Sequence, residues 1–319
     1  KCGPRREGFA ADLMLSNALN TTPNARHHRD RAFMKALVLD FDGVISNSAP
    51  EAFLVAVRTY ADLRPASDLS AAVADLVRNP DVTLKDVQNS SHYARFLELM
   101  PLGNRAEDYA VILSILECKL RVDDQHAYDR VRSTLSGQFL QRFHDRFYAV
   151  RRAFFAHDPV AWRGLIAPYT PVLAWLKRRA TDALLAIATA KDGSSVRVLL
   201  EDYELIDLFA EERILDKDVG VTKAAHLQHL HQTLGIAYAA MTFLDDKVNH
   251  LNAVAPLGVR CALATWGYNG PREHRLARQR GYLVCSLEDA ESKLFGTSDF
   301  PDSAPAGGGR APAAGTSSG

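Results

Sequence analysis

Two short stretches concentrate the acidic side chains that could do chemistry. Asp40 and Asp42 flank Phe41 in the run from Leu37 to Ile45, and Asp245 is followed directly by Asp246 after the apolar run Met241 to Leu244. Carboxylates set so close repel one another, an arrangement that makes sense where a cation or a reacting phosphoryl group lies between them. Gly43, next after Asp42, gives the backbone freedom for a turn. Thr189 closes another apolar run, Leu184 to Ala188, where its hydroxyl and N–H can meet an anion. Lys223 heads a helical segment, where it can offset the carboxylates and grip a phosphate oxygen. Together these are the parts of a phosphoryl-transfer site, with up to four carboxylates for an oxygen-liking Mg²⁺.

Such a site needs elements that bring distant residues to one edge. Short apolar runs recur at Ala36 to Asp40, Ala183 to Ala188, Met241 to Asp245, Val259 to Ala264 and Tyr282 to Cys285. Each has the length of a buried strand. Segments of helical spacing alternate with the later runs, at Val172 to Arg178, Val196 to Leu205, Ala224 to Leu234 and Val248 to Pro256. The alternation predicts an α/β protein with a doubly wound parallel sheet.

About 140 residues separate the first run from the second, far more than a crossover needs. They read as helices at Pro50 to Leu63, Ser91 to Met100 and Ala106 to Leu120, and as a long amphipathic run from Gln125 to Phe155. The division expected is an α/β core of residues 34–46 and 166–296 with an inserted all-helical cap of 47–165. A domain inserted there stands above the carboxyl edge of the sheet, where ligands bind in such folds. The strong signals begin after Met34, which reads as the natural start behind a poorly ordered leader of residues 1–33. The Ser-, Pro-, Ala- and Gly-rich stretch 297–319 reads as a disordered tail.

In order along the chain stand Asp-x-Asp-Gly-Val after a strand, a strand ending in Thr, a Lys heading a helix and a strand ending in Asp-Asp. This set resembles the haloacid dehalogenase-like superfamily of phosphohydrolases over roughly Met34 to Leu294. The helical insert is similar to that superfamily's C1 cap. The segment Trp266 to Asn269 is similar to one found in its phosphoglycolate phosphatase-like members.

The resemblance implies Asp40 as a nucleophile forming an aspartyl-phosphate, and Asp42 as the acid and base of the two half-reactions. It implies Mg²⁺ held by Asp40, the carbonyl of Asp42 and the Asp245-Asp246 pair, with Thr189 and Lys223 binding the transferring group. An acid at Asp42 argues against dehalogenation. The chain departs from the pattern at Ala224, often Pro, at Asn249, often an acid, and at Asn47, often Asp; Lys217 stands as the alternative to Lys223. In the insert, Arg105 is the candidate for a substrate carboxylate or second phosphate, beside a helix start carrying Glu107 and Asp108. Lys191 reads equally as lining the mouth of the site or as a solvated loop lysine, and His226 and His229 as a solvated helix face.

The function expected is hydrolysis of a small phosphorylated metabolite. A sugar phosphomutase of the β-phosphoglucomutase type and a phospho-acceptor signalling module are the alternatives. Lys plus Arg number 38, as do Asp plus Glu, so no basic field exists to hold nucleic acid or anionic lipid. No apolar run approaches the roughly 18–20 residues of a membrane span. Four scattered cysteines without a CxxC spacing fit a reducing cytoplasm. The neutral charge and apolar insert allow a homodimer through the cap without requiring one.

Overall fold

Strands buried on both faces read as continuous apolar runs, and the chain builds its sheet from them. The computed structural model describes residues 34–103, 105–220 and 222–296; the expected leader and tail lie outside the described residues. The strands are β1 (Ala36–Leu39), β2 (Ser46–Asn47), β3 (Ala167–Pro168), β4 (Leu184–Ala188), β5 (Ile214–Leu215), β6 (Met241–Asp245), β7 (Arg260–Ala264) and β8 (Leu283–Cys285). Six form one sheet in the order β5-β4-β1-β6-β7-β8, all pairs parallel. Successive β1 side chains point to opposite faces, so Leu37 and Leu39 enter one apolar core while Ala36 and Val38 enter the other. Both faces are covered, as the doubly wound reading requires.

The chain runs from β1 outward to β4 and β5, then returns to the other side of β1 for β6, β7 and β8. The order therefore reverses around β1, and the crevice at such a reversal is where ligands sit in open α/β sheets. Asp40 leaves β1 at that point.

Between β2 and β3 lies the insert: α1 (Ala49–Leu63), α2 (Asp68–Ala72), α3 (Ala74–Arg78), α4 (Leu84–Asn89), α5 (Tyr93–Leu99), α6 (Asp108–Glu117), α7 (Gln125–Thr134), α8 (Gly137–His157) and α9 (Pro159–Gly164). β2 and β3 pair antiparallel, Ser46 with Pro168 and Asn47 with Ala167, so the outgoing and returning chains are tied together at the base of the insert. The single run expected from Gln125 to Phe155 is two helices, because Ser136 caps α8 by accepting from the Phe139 N–H. α8 buries Leu140, Phe143, Phe147, Arg151 and Phe154 as one stripe. An arginine in that stripe needs a partner, and Glu51 of α1 supplies it. Arg151 Nε and Nη2 each donate to Glu51 at 2.7 Å, and Trp162 Nε1 donates to the same carboxylate at 3.2 Å.

The remaining helices α10 (Thr170–Arg178), α11 (Gly193–Asp202), α12 (Lys223–Leu234), α13 (Val248–Val254), α14 (Pro271–Gln279) and α15 (Ala290–Phe295) complete the two faces of the sheet. Strand β5 carries only two residues and no separate run marks it in the sequence.

Candidate active site

After β1 the chain turns at once. The Phe41 carbonyl accepts from the N–H groups of Ile45 and Ser46, and the Gly43 N–H donates to the Ser46 carbonyl at 2.7 Å. Gly43 has φ +84°, and a Cβ there would lie 2.3 Å from Asp246 Oδ2. Glycine is thus required both by the turn and by the carboxylate packed beneath it. Gly267 is needed for the same reason from the other side, since its Cβ would meet Asp246 Cβ at 2.3 Å.

The turn separates the two leading carboxylates. Asp40 is buried, and its Oδ1 takes a hydrogen bond from the Phe41 N–H at 2.7 Å and lies 2.8 Å from Lys223 Nζ. Lys223, the first residue of α12, also donates to the Ala188 carbonyl at 2.6 Å and stands 3.5 Å from Asp245 Oδ2. One lysine thus serves two buried carboxylates. Asp245 receives His250 Nδ1 at 2.9 and 3.1 Å and the Lys247 N–H at 2.8 Å.

Burial pushes the Asp40 carboxyl above the usual carboxylate range, reinforced by Asp245 and opposed by Lys223. At Asp245 burial acts the same way, but His250 and Lys223 together outweigh it and hold the carboxyl well below that range. Burial would lower the Lys223 ammonium, yet the carboxylates on either side keep it raised and charged.

Asp42 faces another partner set. Lys191 Nζ lies 3.2 Å from its Oδ1, and the Ser48 hydroxyl donates to the same oxygen. Although burial raises this carboxyl, Lys191 and Arg151 bring it below the usual range. Lys191 is not a solvated loop lysine: its side chain is wholly buried, and its N–H donates to Thr189 Oγ1 at 3.1 Å. Thr189 itself is buried at the end of β4.

Asp246 has hydrogen-bond partners of its own. Its Oδ2 accepts from the Tyr268 N–H at 2.6 Å, and its carbonyl accepts from Asn269 Nδ2 at 2.9 Å. Tyr268 in turn accepts from the Ser48 N–H at 2.6 Å, and Trp266 Nε1 donates to the Val44 carbonyl at 3.0 Å. The Trp266–Asn269 segment therefore clamps the β1 turn onto the end of β6. Asp246 Oδ1 is buried without a partner, and burial beside Asp245 pushes its carboxyl well up.

Asp40, Asp245 and His250 present ligand atoms within 4.8 Å of one another. Two buried carboxylates, Asp40 and Asp245, share the one lysine Lys223, and a divalent cation with a preference for oxygen suits that pair. Asp42, turned to Lys191 and Ser48, is outside that group.

A cavity of about 70 Å³ joins these residues, lined by Asp40, Asp42, Thr189, Lys191, Arg105 and Arg151 among others. Arg105 and Arg151 reach it from the insert, so the inserted helices contribute part of its wall. Lys247 ties the two parts, donating to the Gly103 carbonyl at 2.5 Å. Lys217, the alternative to Lys223, pairs with Asp218 and does not line this cavity. His226 is not on a solvated face: it is 2% exposed, with Nε2 within 2.9 Å of the carbonyls of Asp216 and Gly220.

Sequence reasoning missed Arg151 and His250 and left Lys191 open between the mouth of the site, where it stands, and a solvated loop. Arg151 left a signal, a charge inside an apolar helical stripe; His250 left none, since its partner is set by the fold.

The fold is that of solved haloacid dehalogenase-like hydrolases and predicted phosphatases. A hydrolase of the haloacid dehalogenase-like family from Streptococcus pneumoniae superposes with a TM-score of 0.55 at 15% identity, over 82% of this chain and 98% of its own. A predicted phosphatase from Clostridium acetobutylicum gives 0.53 at 15%, over 82% and 98%. A predicted phosphoglycolate phosphatase from Haemophilus somnus gives 0.52 at 18%, over 80% and 96%. No protein-family model and no curated protein matches the sequence.

Proposed function

We propose that the protein is a Mg²⁺-dependent phosphatase that hydrolyses a small phosphomonoester in the cytoplasm through an aspartyl-phosphate on Asp40. The observation that carries this reading is the shared small cavity, in which a lysine-held buried aspartate, a strand-end threonine and a second, separately paired aspartate face one another. The free thiols of Cys118, Cys261 and Cys285 support the compartment.

In the first half-reaction an Asp40 oxygen attacks phosphorus and the ester P–O bond breaks. Lys223 and Thr189 orient the phosphoryl oxygens. Lys191 and Arg151 keep Asp42 ionised before substrate arrives. A phosphoryl dianion entering beside it raises that carboxyl, so Asp42 takes up a proton and passes it to the departing alcohol. In the second half-reaction Asp42 removes a proton from water as that water attacks phosphorus, releasing phosphate and restoring Asp40.

Mg²⁺ would be held by Asp40 and Asp245, with His250 fixing Asp245. When bound it supplies the charge that lets an anionic nucleophile approach an anionic substrate. The test is phosphate release from p-nitrophenyl phosphate and metabolite phosphates, with and without Mg²⁺. Release that needs the metal and disappears in Asp40→Asn is expected; release that persists in Asp40→Asn contradicts the reading.

A further inference from the structure

The Trp266–Asn269 segment clamps the β1 turn with some of its groups and with others walls a second cavity. Together with the start of α1, helix α5 and Tyr169 it encloses about 630 Å³. Among the described residues only Tyr268 lines both this cavity and the small one at the aspartates. The volume falls within the roughly 300–1,000 Å³ of sites that take whole small molecules.

The ionic groups on its wall are already matched. Arg95 pairs with Glu98 at 2.6 Å, Arg272 with Glu273 at 2.5 Å, and Asp123 with Arg121 at 2.6 Å. A charged guest would find no spare counter-ion, which favours a neutral one.

Four of the lining residues are aromatic: Tyr93, Tyr169, Trp266 and Tyr268. Tyr169 and Trp266 meet edge to face at 6.5 Å, and Tyr93 is set against Phe53 in the same way at 5.3 Å. Rings fixed by such packing suit a flat guest. Three donors on the same wall are open. The hydroxyls of Tyr93 and Tyr169 have no hydrogen-bond partner among the described residues, although Tyr93 is only 8% exposed. Burial pushes the Tyr93 hydroxyl up to about 12 and raises that of Tyr169 as well, so both keep their protons. Asn47 Oδ1 accepts from the Ala49 N–H at 3.3 Å, which leaves its amide NH₂ open. A guest with acceptors on its rim would pair these donors.

We propose that this cavity binds a neutral, planar heteroaromatic ring bearing hydrogen-bond acceptors, packed among Tyr93, Tyr169 and Trp266 with its acceptors on the two tyrosine hydroxyls and Asn47. The site is separate from the phosphoryl-transfer centre and does not depend on the phosphatase reading.

The probe is caffeine, a neutral planar ring with acceptors and no N–H donor, titrated into the full chain while the indole N–H resonances of its three tryptophans are followed. Trp162 and Trp175 are buried and do not line the cavity, so their signals serve as internal controls for folding and non-specific effects. Saturable movement of the Trp266 signal with a Kd at or below about 1 mM is expected, undisturbed by inorganic phosphate. Tyr93→Phe and Tyr169→Phe, which keep the rings, should each weaken binding about three- to tenfold, the scale of one hydrogen bond. The ring without acceptors, 1-methylindole, and the caffeine analogue with a carboxylate, theophylline-7-acetate, should each bind about tenfold more weakly or worse. No movement of Trp266 up to the solubility of caffeine, or movement that inorganic phosphate abolishes, overturns the site. Unchanged affinity in both tyrosine variants, or equal binding of 1-methylindole, overturns the acceptor assignment. Equal or tighter binding of theophylline-7-acetate overturns the assignment of a neutral guest.

Discussion

Asp40 and Asp42 stand on one turn, each with a lysine at 2.8 or 3.2 Å, and their electrostatic situations are opposite. Asp40 is pushed above the ordinary carboxylate range and Asp42 is held below it. The difference lies in how the cations are shared. Lys223 is divided among Asp40, Asp245 and the Ala188 carbonyl, and Asp40 faces a second carboxylate. Asp42 has Lys191 and the Ser48 hydroxyl to itself and feels Arg151, and its side chain is 29% exposed against 8% for Asp40. The inner acid is an anion short of positive charge, as a metal-assisted nucleophile requires. The outer acid is satisfied and near water, as a proton carrier requires.

The largest effect expected is on the inner acid. Asp40→Asn should lower phosphate release by a factor on the order of 10⁴ while the melting temperature stays level or rises, because a poorly compensated buried charge is lost. Asp42→Asn should cost about 10²–10⁴, the range for a general acid or base, measured as kcat on the same substrate. Similar rate losses with equal destabilisation in both variants would erase the contrast.

The lysines sharpen it. Lys191→Met should move the Asp42 carboxyl up and leave Asp40 little changed, whereas Lys223→Met should push Asp40 further up and spare Asp42. Carboxyl chemical shifts of isotope-labelled aspartates against pH read both. Movement of both acids by either substitution would show that the two pairs are one network.

A buried base outside the acid group tests the same reasoning at smaller scale. Burial, reinforced by Lys223, lowers His226 to about 4. The unfolded chain, with histidine near 6.5, therefore binds the extra proton first as pH falls. The stability that neutral His226 confers is complete above about pH 6.5 and is lost between there and about pH 4. Between pH 7 and 5 the wild type should lose about 2 kcal/mol more than His226→Gln in urea unfolding.

The sheet was legible because parallel strands buried on both faces announce themselves as apolar runs bounded by polar residues. β5, two residues long, offers no such run. Asp40, Thr189, Lys223 and Asp245 were legible because strand ends and helix starts fix where they fall. Lys191, Arg151 and His250 act through partners: Asp42 is 149 residues from Lys191, Glu51 is 100 residues from Arg151, and Asp245 meets His250 only because the loop into α13 folds back. Spacing carries no information about pairs that only tertiary packing creates. The break before α8 was hidden for a local reason, since Leu135 and Ser136 preserve amphipathic spacing while Ser136 caps a new helix.

The most direct measurement is an acid-quenched single turnover with a radiolabelled phosphomonoester and Mg²⁺, followed by mapping of labelled peptides. The account predicts transient label on the peptide containing Asp40, rising and falling before free phosphate is complete, and absent from Asp40→Asn. Full release of phosphate with no label on protein, or stable label on another residue, would contradict it.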